Sequence, residues 1–530
     1  MRIFYIKRGA KAQRWLWGII IPLCLCISVS QLFTACTPTP QNVARTDAEA
    51  PIYPDYRDVT IPRNIAPLNF LLRAEGCEAL EVSIRRTGDG AGSTVDDRGK
   101  RGDGEEAALT IRARGCEATF DADDWRGLME QSAGGRLEVT VTALISGQWR
   151  QYRPFGWTVA EEEIDPYLTY RLIEPDYEIW NQIRIEERCL ESFDTRAIGH
   201  YEQLDNRCMN CHTYAGQSPG LSMMYVRGAG GGAILNREGR LEKLSIPGSV
   251  YFGFSPSGRY ITYSTQKIIP AFHSDPRRRL EVFDAGSNVF VADLEQHRVI
   301  SSPLTADSLV FETFPTFSPD GRYIYYCAAD TVSLPRDIRR LQYALVRIAF
   351  DEGAGRFGER VDTVVRCTAA LPQSTGQRAG TAASGPKGSV CHPRISPDGR
   401  WLLYTVADYG TFPIWHPEAD LRMLDLKTGA TDTLAAVNSP KSDTYHSWSS
   451  NSRWFVFASK RDDGLYGKPY FCYVDASGRA HKPFCLPQKH PTFYDNCLKS
   501  FNAPELGRGP LPFDVADVAR AMKQPAVAVE

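Results

Sequence analysis

Four copies of one short pattern constrain this chain more than any other feature of its sequence. They read Phe254-Ser-Pro-Ser-Gly-Arg-Tyr260, Phe317-Ser-Pro-Asp-Gly-Arg-Tyr323, Ile395-Ser-Pro-Asp-Gly-Arg-Trp401 and Trp448-Ser-Ser-Asn-Ser-Arg-Trp454. In each, a strand end runs into a tight turn and out into an aromatic and aliphatic strand. Proline presets φ at the turn's second position, Asp or Ser bonds the local backbone, and glycine supplies the left-handed residue that closes the hairpin. Further strand-like runs follow each turn, such as Val289-Phe-Val-Ala-Asp293 and Tyr343-Ala-Leu-Val-Arg-Ile348. A repeated unit of about four strands cannot bury both faces alone, so the units stack radially, which predicts an all-β chain with a β-propeller. Six blades fit best over residues 221–500, with five or seven as the neighbouring counts. A β-sandwich with coincidental turns is the competing arrangement.

Upstream, Ala108-Leu-Thr-Ile-Arg-Ala113 and Arg136-Leu-Glu-Val-Thr-Val-Thr-Ala143 alternate polar and apolar, predicting a small β-sandwich domain over 53–163. Residues 164–220 read as a connector, with a short helix near Tyr177–Ile183, and 501–530 as a C-terminal tail. The stretches 88–106 and 368–388 are rich in small and polar residues and read as long loops.

The connector carries the strongest chemical signal, Cys208-Met209-Asn210-Cys211-His212. Cys-x-x-Cys-His is the spacing at which two thiols reach a haem's vinyl groups while the adjacent imidazole reaches its iron. It nominates one covalent haem c, with thioethers from Cys208 and Cys211 and His212 as the iron ligand. A redox dithiol, half a zinc site, or structural cysteines beside an unrelated histidine remain as alternatives. Met223 and Met224 are within loop reach as a sixth ligand. On a strand only one of them would face the iron, and apolar packing is the plainer role for both. His200, His273 and Met423 are remoter candidates, and Arg227 is a candidate partner for a haem propionate. Gly216-Gln-Ser-Pro-Gly220 fits a nucleophile elbow in letters, but an elbow needs a strand before it and a helix after it. With no other hydrolase signature, a carrier or binding protein is expected in preference to an enzyme.

The N-terminus supplies a compartment for that chemistry. Arg2, Lys7, Arg8, Lys11 and Arg14 precede an apolar run from Trp15 to Ile27, then Leu32-Phe-Thr-Ala-Cys36. The small residue before Cys36 resembles a bacterial lipoprotein box. That resemblance implies a signal peptide over 1–35, lipid on Cys36 and a tether over 36–52, giving a membrane-anchored chain. The residues after Cys36 point to the outer membrane, facing the periplasm. Once the signal, lipid and haem cysteines are set aside, an odd number remains of the 14 in the chain, with Cys77 and Cys116, and Cys472 and Cys485, as the first pairs to consider. A net charge of −2 with no basic stripe argues against nucleic acid as a partner.

The Ser-Pro-Asp-Gly-Arg hairpins resemble the WD40-like repeat of TolB-type propellers. With the lipoprotein signal, the β-domain and Cys208–His212, they resemble a group of TolB-like lipoproteins, largely from Bacteroidetes, that carry one c-type haem motif. The resemblance implies an envelope protein that relays electrons or docks a respiratory or envelope partner. Its alternative is a non-haem interaction propeller with structural cysteines.

Overall fold

The computed structural model describes residues 37–87, 108–175, 182–246, 248–272, 280–366 and 388–530. The turn signals form the hairpins expected of them. Gly258, Gly321 and Gly399 have φ of +71°, +72° and +75°, and in the fourth turn Ser452 takes the same conformation at +61°. In two turns the opening serine also staples the hairpin: Ser318 Oγ donates to Asp320 and accepts from Tyr323 N, and Ser396 Oγ does the same with Asp398 and Trp401 N.

Each turn joins the inner strand of a four-stranded antiparallel blade to its second strand. Blade 3 comprises Ser249–Phe254, Tyr260–Phe272, Leu280–Asp293 and Arg298–Ile300, and blade 4 Val310–Phe317, Tyr323–Asp330, Ala344–Asp351 and Arg356–Val365. Blade 5 comprises Ser389–Ile395, Trp401–Ala407, Asp420–Asp425 and Thr431–Asp432, and blade 6 Asp443–Trp448, Trp454–Ser459, Lys468–Tyr473 and Phe484–Cys485. Two further blades lie upstream. Blade 2 is Met209–Ala215, Ser218–Val226, Gly232–Arg237 and Arg240–Ser245, extended by Val527–Ala528. Blade 1 is Tyr167–Ile173, Arg184–Cys189 and Thr195–His200, and its inner strand is Ser500–Gly507, paired antiparallel with Tyr167–Ile173. The protein is therefore an all-β, six-bladed propeller closed by strands from two distant parts of the chain.

This moves two expected boundaries. Residues 164–220 supply blade 1 and the start of blade 2 in place of a connector; the helix expected near 177–183 falls largely outside the described residues. Residues 501–530 are structural in place of a tail. They close the ring, and the helix Val515–Met522, capped by Asp514 and Asp517, packs Val518 and Met522 into the cluster shared by blades 1 and 2. The interfaces between blades are apolar and buried, so each blade depends on its neighbours.

The N-terminal domain has a seven-stranded sheet and a three-stranded sheet, joined by the helix Ala122–Gln131. Trp125 and Trp157 meet edge to face at 5.5 Å, and each indole N–H donates to a backbone carbonyl, at Ile65 and Tyr56. The domain sits on blade 6 through buried polar contacts. Lys468 Nζ donates to Tyr53 Oη at 2.6 Å, and Trp454 Nε1 donates to the Glu162 carbonyl at 3.1 Å. Cys77 and Cys116 are free thiols, and Cys116 Sγ donates to the Cys77 carbonyl at 3.4 Å. Cys472 instead donates to the His481 carbonyl, while Cys485 lies opposite Tyr470.

Gly399 isolates the conformational term of a turn, because an added Cβ there would meet no atom within 4 Å. Gly399→Ala should cost about 1–2 kcal/mol from the left-handed conformation alone. A lower urea midpoint at unchanged slope is the expected result.

Candidate functional site

The inner strands of the six blades follow one another around the axis, each contacting the next, with Ser500–Gly507 beside Met209–Ala215 completing the circle. Five of them share a device. The strand register slips once, and the residue at the slip has positive φ: Tyr251 (+54°), Phe314 (+53°), His392 (+52°), Tyr445 (+47°) and Ala503 (+46°). Such bulges re-aim one side chain out of the alternation, at about 1–3 kcal/mol for a left-handed non-glycine residue. Here they gather aromatic rings. Phe314 and His392 lie 4.0 Å apart between centroids, Tyr251 and Phe314 4.4 Å, and His392 and Tyr445 4.5 Å. Blade 2 slips at the corresponding point, between Met209 and His212, inside the Cys-x-x-Cys-His motif.

Beside these rings is a cavity of about 100 Å³ that opens to solvent. That is below the range of about 300–1,000 Å³ for pockets that take organic ligands. Cys211, His212, His392, Arg394, His446 and Glu505 contribute to its wall. Its rim carries Ile268 and Val282 of the long blade 3 hairpin, with Phe412 and Trp415 of blade 5.

The wall is poor in hydrogen bonds. Both ring nitrogens of His212 and both of His392 are buried without a partner of hydrogen-bonding geometry, as is Nδ1 of His446, whose Nε2 meets the Leu403 carbonyl at 3.0 Å. An unsatisfied buried polar atom costs about 1–3 kcal/mol, so three such imidazoles around one cavity call for an explanation. Burial, then the charge of Arg171, pulls the His212 pKa down to about 4, with the Thr169 backbone opposing. Burial, then Arg394, pulls His446 to about 3, and burial pulls His392 well below its ordinary value. All three are neutral at pH 7, the state in which imidazole is a ligand.

The structure divides the residues expected from the sequence. Cys211 and His212 reach the cavity, and Cys211 Sγ accepts from Tyr251 N at 3.3 Å. Cys208 precedes the strand and is buried at 2% exposure in the apolar cluster between blades 1 and 2. Met223 and Met224 lie on one strand and pack in different clusters, one on each side of blade 2. Met224 is the cross-strand partner of His212. Side chains so placed stand side by side about 5 Å apart on one face, which leaves no room for a macrocycle between them. Arg227 donates its amide to the Cys208 carbonyl and is not part of the cavity wall, where the cations are Arg171, Arg394 and Lys460. His200 caps a short helical turn at the outer strand of blade 1, and Met423 sits in the third strand of blade 5. Cys36 and His273 lie outside the described residues. Gly216-Gln217 is the turn of a hairpin between two strands of blade 2, with no helix after Ser218.

The sequence reading missed His392, Arg394 and Glu505; it weighed His446 as a loop-lining residue, with a satisfied side chain as the plainer role. A signal for the first was present: Tyr251, Phe314, His392 and Tyr445 each stand four positions before the serine of a repeated turn, so the repeat fixes which residue faces the axis.

No family model matches the chain, and no curated protein does. Among solved structures it is similar to TolB from Acinetobacter baumannii, at 14% identity over 73% of this chain and 85% of that one, with a TM-score of 0.40. It is also similar to the tricorn protease, at 12% identity over 66% of this chain and 33% of that one, TM-score 0.31. A third is the β-propeller domain of the Trilobed protease from Pyrococcus furiosus, at 12% identity over 50% and 82%, TM-score 0.29. No residue role is carried over from them.

Glu505 offers a test of the cavity's electrostatics. Burial pushes its pKa up to about 7, against the pull of Arg394, Thr213 and the Tyr214 amide. Between its ordinary value near 4.5 and about 7, the folded state holds a proton that the unfolded state has released. Stability from this group is therefore complete at low pH and is lost as pH rises through about 7. Glu505→Gln should remove that loss. Its denaturation midpoint relative to the wild type should rise between about pH 5 and about pH 8, and a constant difference would show that the group does not titrate in this window.

Proposed function

We propose that Cys211 and His212 would hold one haem c, supplying one-electron chemistry, and that the propeller carries it as an electron-transfer and partner-docking scaffold in the bacterial cell envelope. The observation that carries this reading is the Cys-x-x-Cys-His spacing of Cys208–His212, with Cys211 and His212 both on the wall of the axial cavity. The chain's own part is to hold the imidazole neutral, exclude water with the aromatic rings, and offer Arg171, Arg394 and Lys460 to anionic groups. Arg227, the partner first suggested by the sequence, is less well placed for that role.

Cys208 sets the terms of the attachment. With its thiol in the cluster between blades 1 and 2, one thioether through Cys211 fits this arrangement, and a second requires residues 207–211 to turn. The same position of Cys208 favours the other reading, an envelope interaction propeller whose cysteines are structural. Protein exported from cells that attach haem, then denatured and extracted with acid solvent, separates the two. Retained haem in the wild type and in Cys208→Ala, with loss in Cys211→Ala, is expected. A wild type that releases all its haem would sink the haem reading and leave the interaction propeller.

The N-terminal resemblance further supports a lipid anchor on Cys36, placing the propeller at the inner face of the outer membrane. Among the described residues no helix is long and apolar enough to cross a membrane. Cys36→Ala should abolish incorporation of labelled fatty acid into the protein.

A further inference from the structure

We infer that the axial cavity is a binding site for a short carboxylate, held by the guanidinium of Arg394. The inference does not rest on the haem reading, because its donor lies on blade 5 and not in the Cys-x-x-Cys-His motif of blade 2.

Three observations lead to it. The first is an arginine whose donors are largely unspent. Arg394 lies on the inner strand Ser389–Ile395, is partly accessible, and forms part of the cavity wall. Among the described residues it makes no ion pair, and its one hydrogen bond is a long one, 3.4 Å from Nη1 to the carbonyl of the adjacent Pro393. A guanidinium carries five N–H donors in a fixed fork. Other enclosed arginines use theirs: Arg188 donates to the Cys189 and Pro487 carbonyls, and Arg461 to Asp443 and the Val437 carbonyl. Burial lowers the Arg394 pKa from its ordinary value, although the charges of Glu505 and Cys211 pull it the other way.

The second is that the wall's own carboxylates are engaged elsewhere. Glu174 meets Lys499 at 3.0 Å, and Glu505 accepts from the Thr213 hydroxyl at 2.9 Å and the Tyr214 amide at 3.3 Å. Against these two acids the wall sets three cations, Arg171, Arg394 and Lys460, so it attracts an anion.

The third is size and lining. A cavity of about 100 Å³ offers roughly seven water-sized positions at about 15 Å³ each, which admits a small anion and refuses a large cofactor. Tyr251, Ile414 and Trp415 also line it, so the ligand's head is charged and its short body apolar. A carboxylate matches the arginine fork through two parallel hydrogen bonds. Phosphate would bring further charge and polar oxygens against aromatic and aliphatic side chains that cannot satisfy them.

The test follows the thermal midpoint of the full-length protein as sodium acetate, butyrate, benzoate or phosphate is added, with ionic strength held constant by sodium chloride. Covalent haem in the same preparations, read from the absorption spectrum, reports separately on the haem reading. Acetate and butyrate should raise the midpoint saturably, as a ligand that binds only the folded state must. Benzoate, too large for the cavity, and phosphate should not. Arg394→Gln should abolish the rise. Arg394→Lys, which keeps the charge and loses the fork, should raise the half-saturating butyrate concentration about tenfold. Arg356→Gln, on the outer strand of blade 4, should leave it unchanged. No saturable rise with either acid, the behaviour of a cavity that holds water only, overturns the inference, and so does a rise that survives Arg394→Gln. Equal effects of benzoate and butyrate overturn the placement in this cavity, and a phosphate effect lost in Arg394→Gln overturns the carboxylate assignment. If Arg394→Gln fails to fold, Arg394→Lys decides, and an unchanged half-saturating concentration overturns the inference.

Discussion

Everything around the axis depends on the pairing of Ser500–Gly507 with Tyr167–Ile173. Thr169 and Glu505, bonded across that ladder, are 336 residues apart in sequence. Loop-closure entropy grows only logarithmically with length, so joining distant segments adds little to the cost of the closure. The gain is large, because an open ring would leave two blade faces and two strand edges exposed. Closure also places Glu505 against Thr213 and Tyr214 and brings blade 1 into the cavity wall. The site is a property of the closed ring, not of any one blade.

Within the ring, strain and unsatisfied polarity occur in the same place. The inner strands are bulged at one position per blade, with left-handed backbone at residues that do not favour it, and the imidazoles beside them lack hydrogen bonds. Both are unfavourable for folding alone, and the blade interfaces, packed with apolar side chains, carry the cost. His212 and His392 therefore stand apart from His416, which is equally buried but meets Glu418 at 2.9 Å and has its pKa raised accordingly.

Much of the fold was legible because its information is local. Four turns announce four hairpins, since proline, a short polar side chain and glycine act over five residues. Blades 1 and 2 lack that signature for a physical reason. The inner strand of blade 1 comes from the other end of the chain and needs no turn to its neighbour, and blade 2 turns through Gly216-Gln217 instead. The strand at 500–507 was hidden because its partner lies too far away for any periodicity to show. At the site, covalent spacing made Cys211 and His212 readable. His392 and Glu505 reach the cavity only through the ring's geometry, and the opposed orientation of Cys208 follows from the register slip inside the motif.

Blade 1 is also a seam. In blades 3 to 6 the chain runs from strand to strand without leaving the sheet, whereas the inner strand of blade 1 is held to its neighbour by hydrogen bonds and packing alone. Thermal or mechanical stress will part the ring there before it parts a blade whose strands are tied by short hairpins. Parting would bare Glu505, then Thr213 and the histidine beside it. The joint that completes the cavity is thus also the place where it would open.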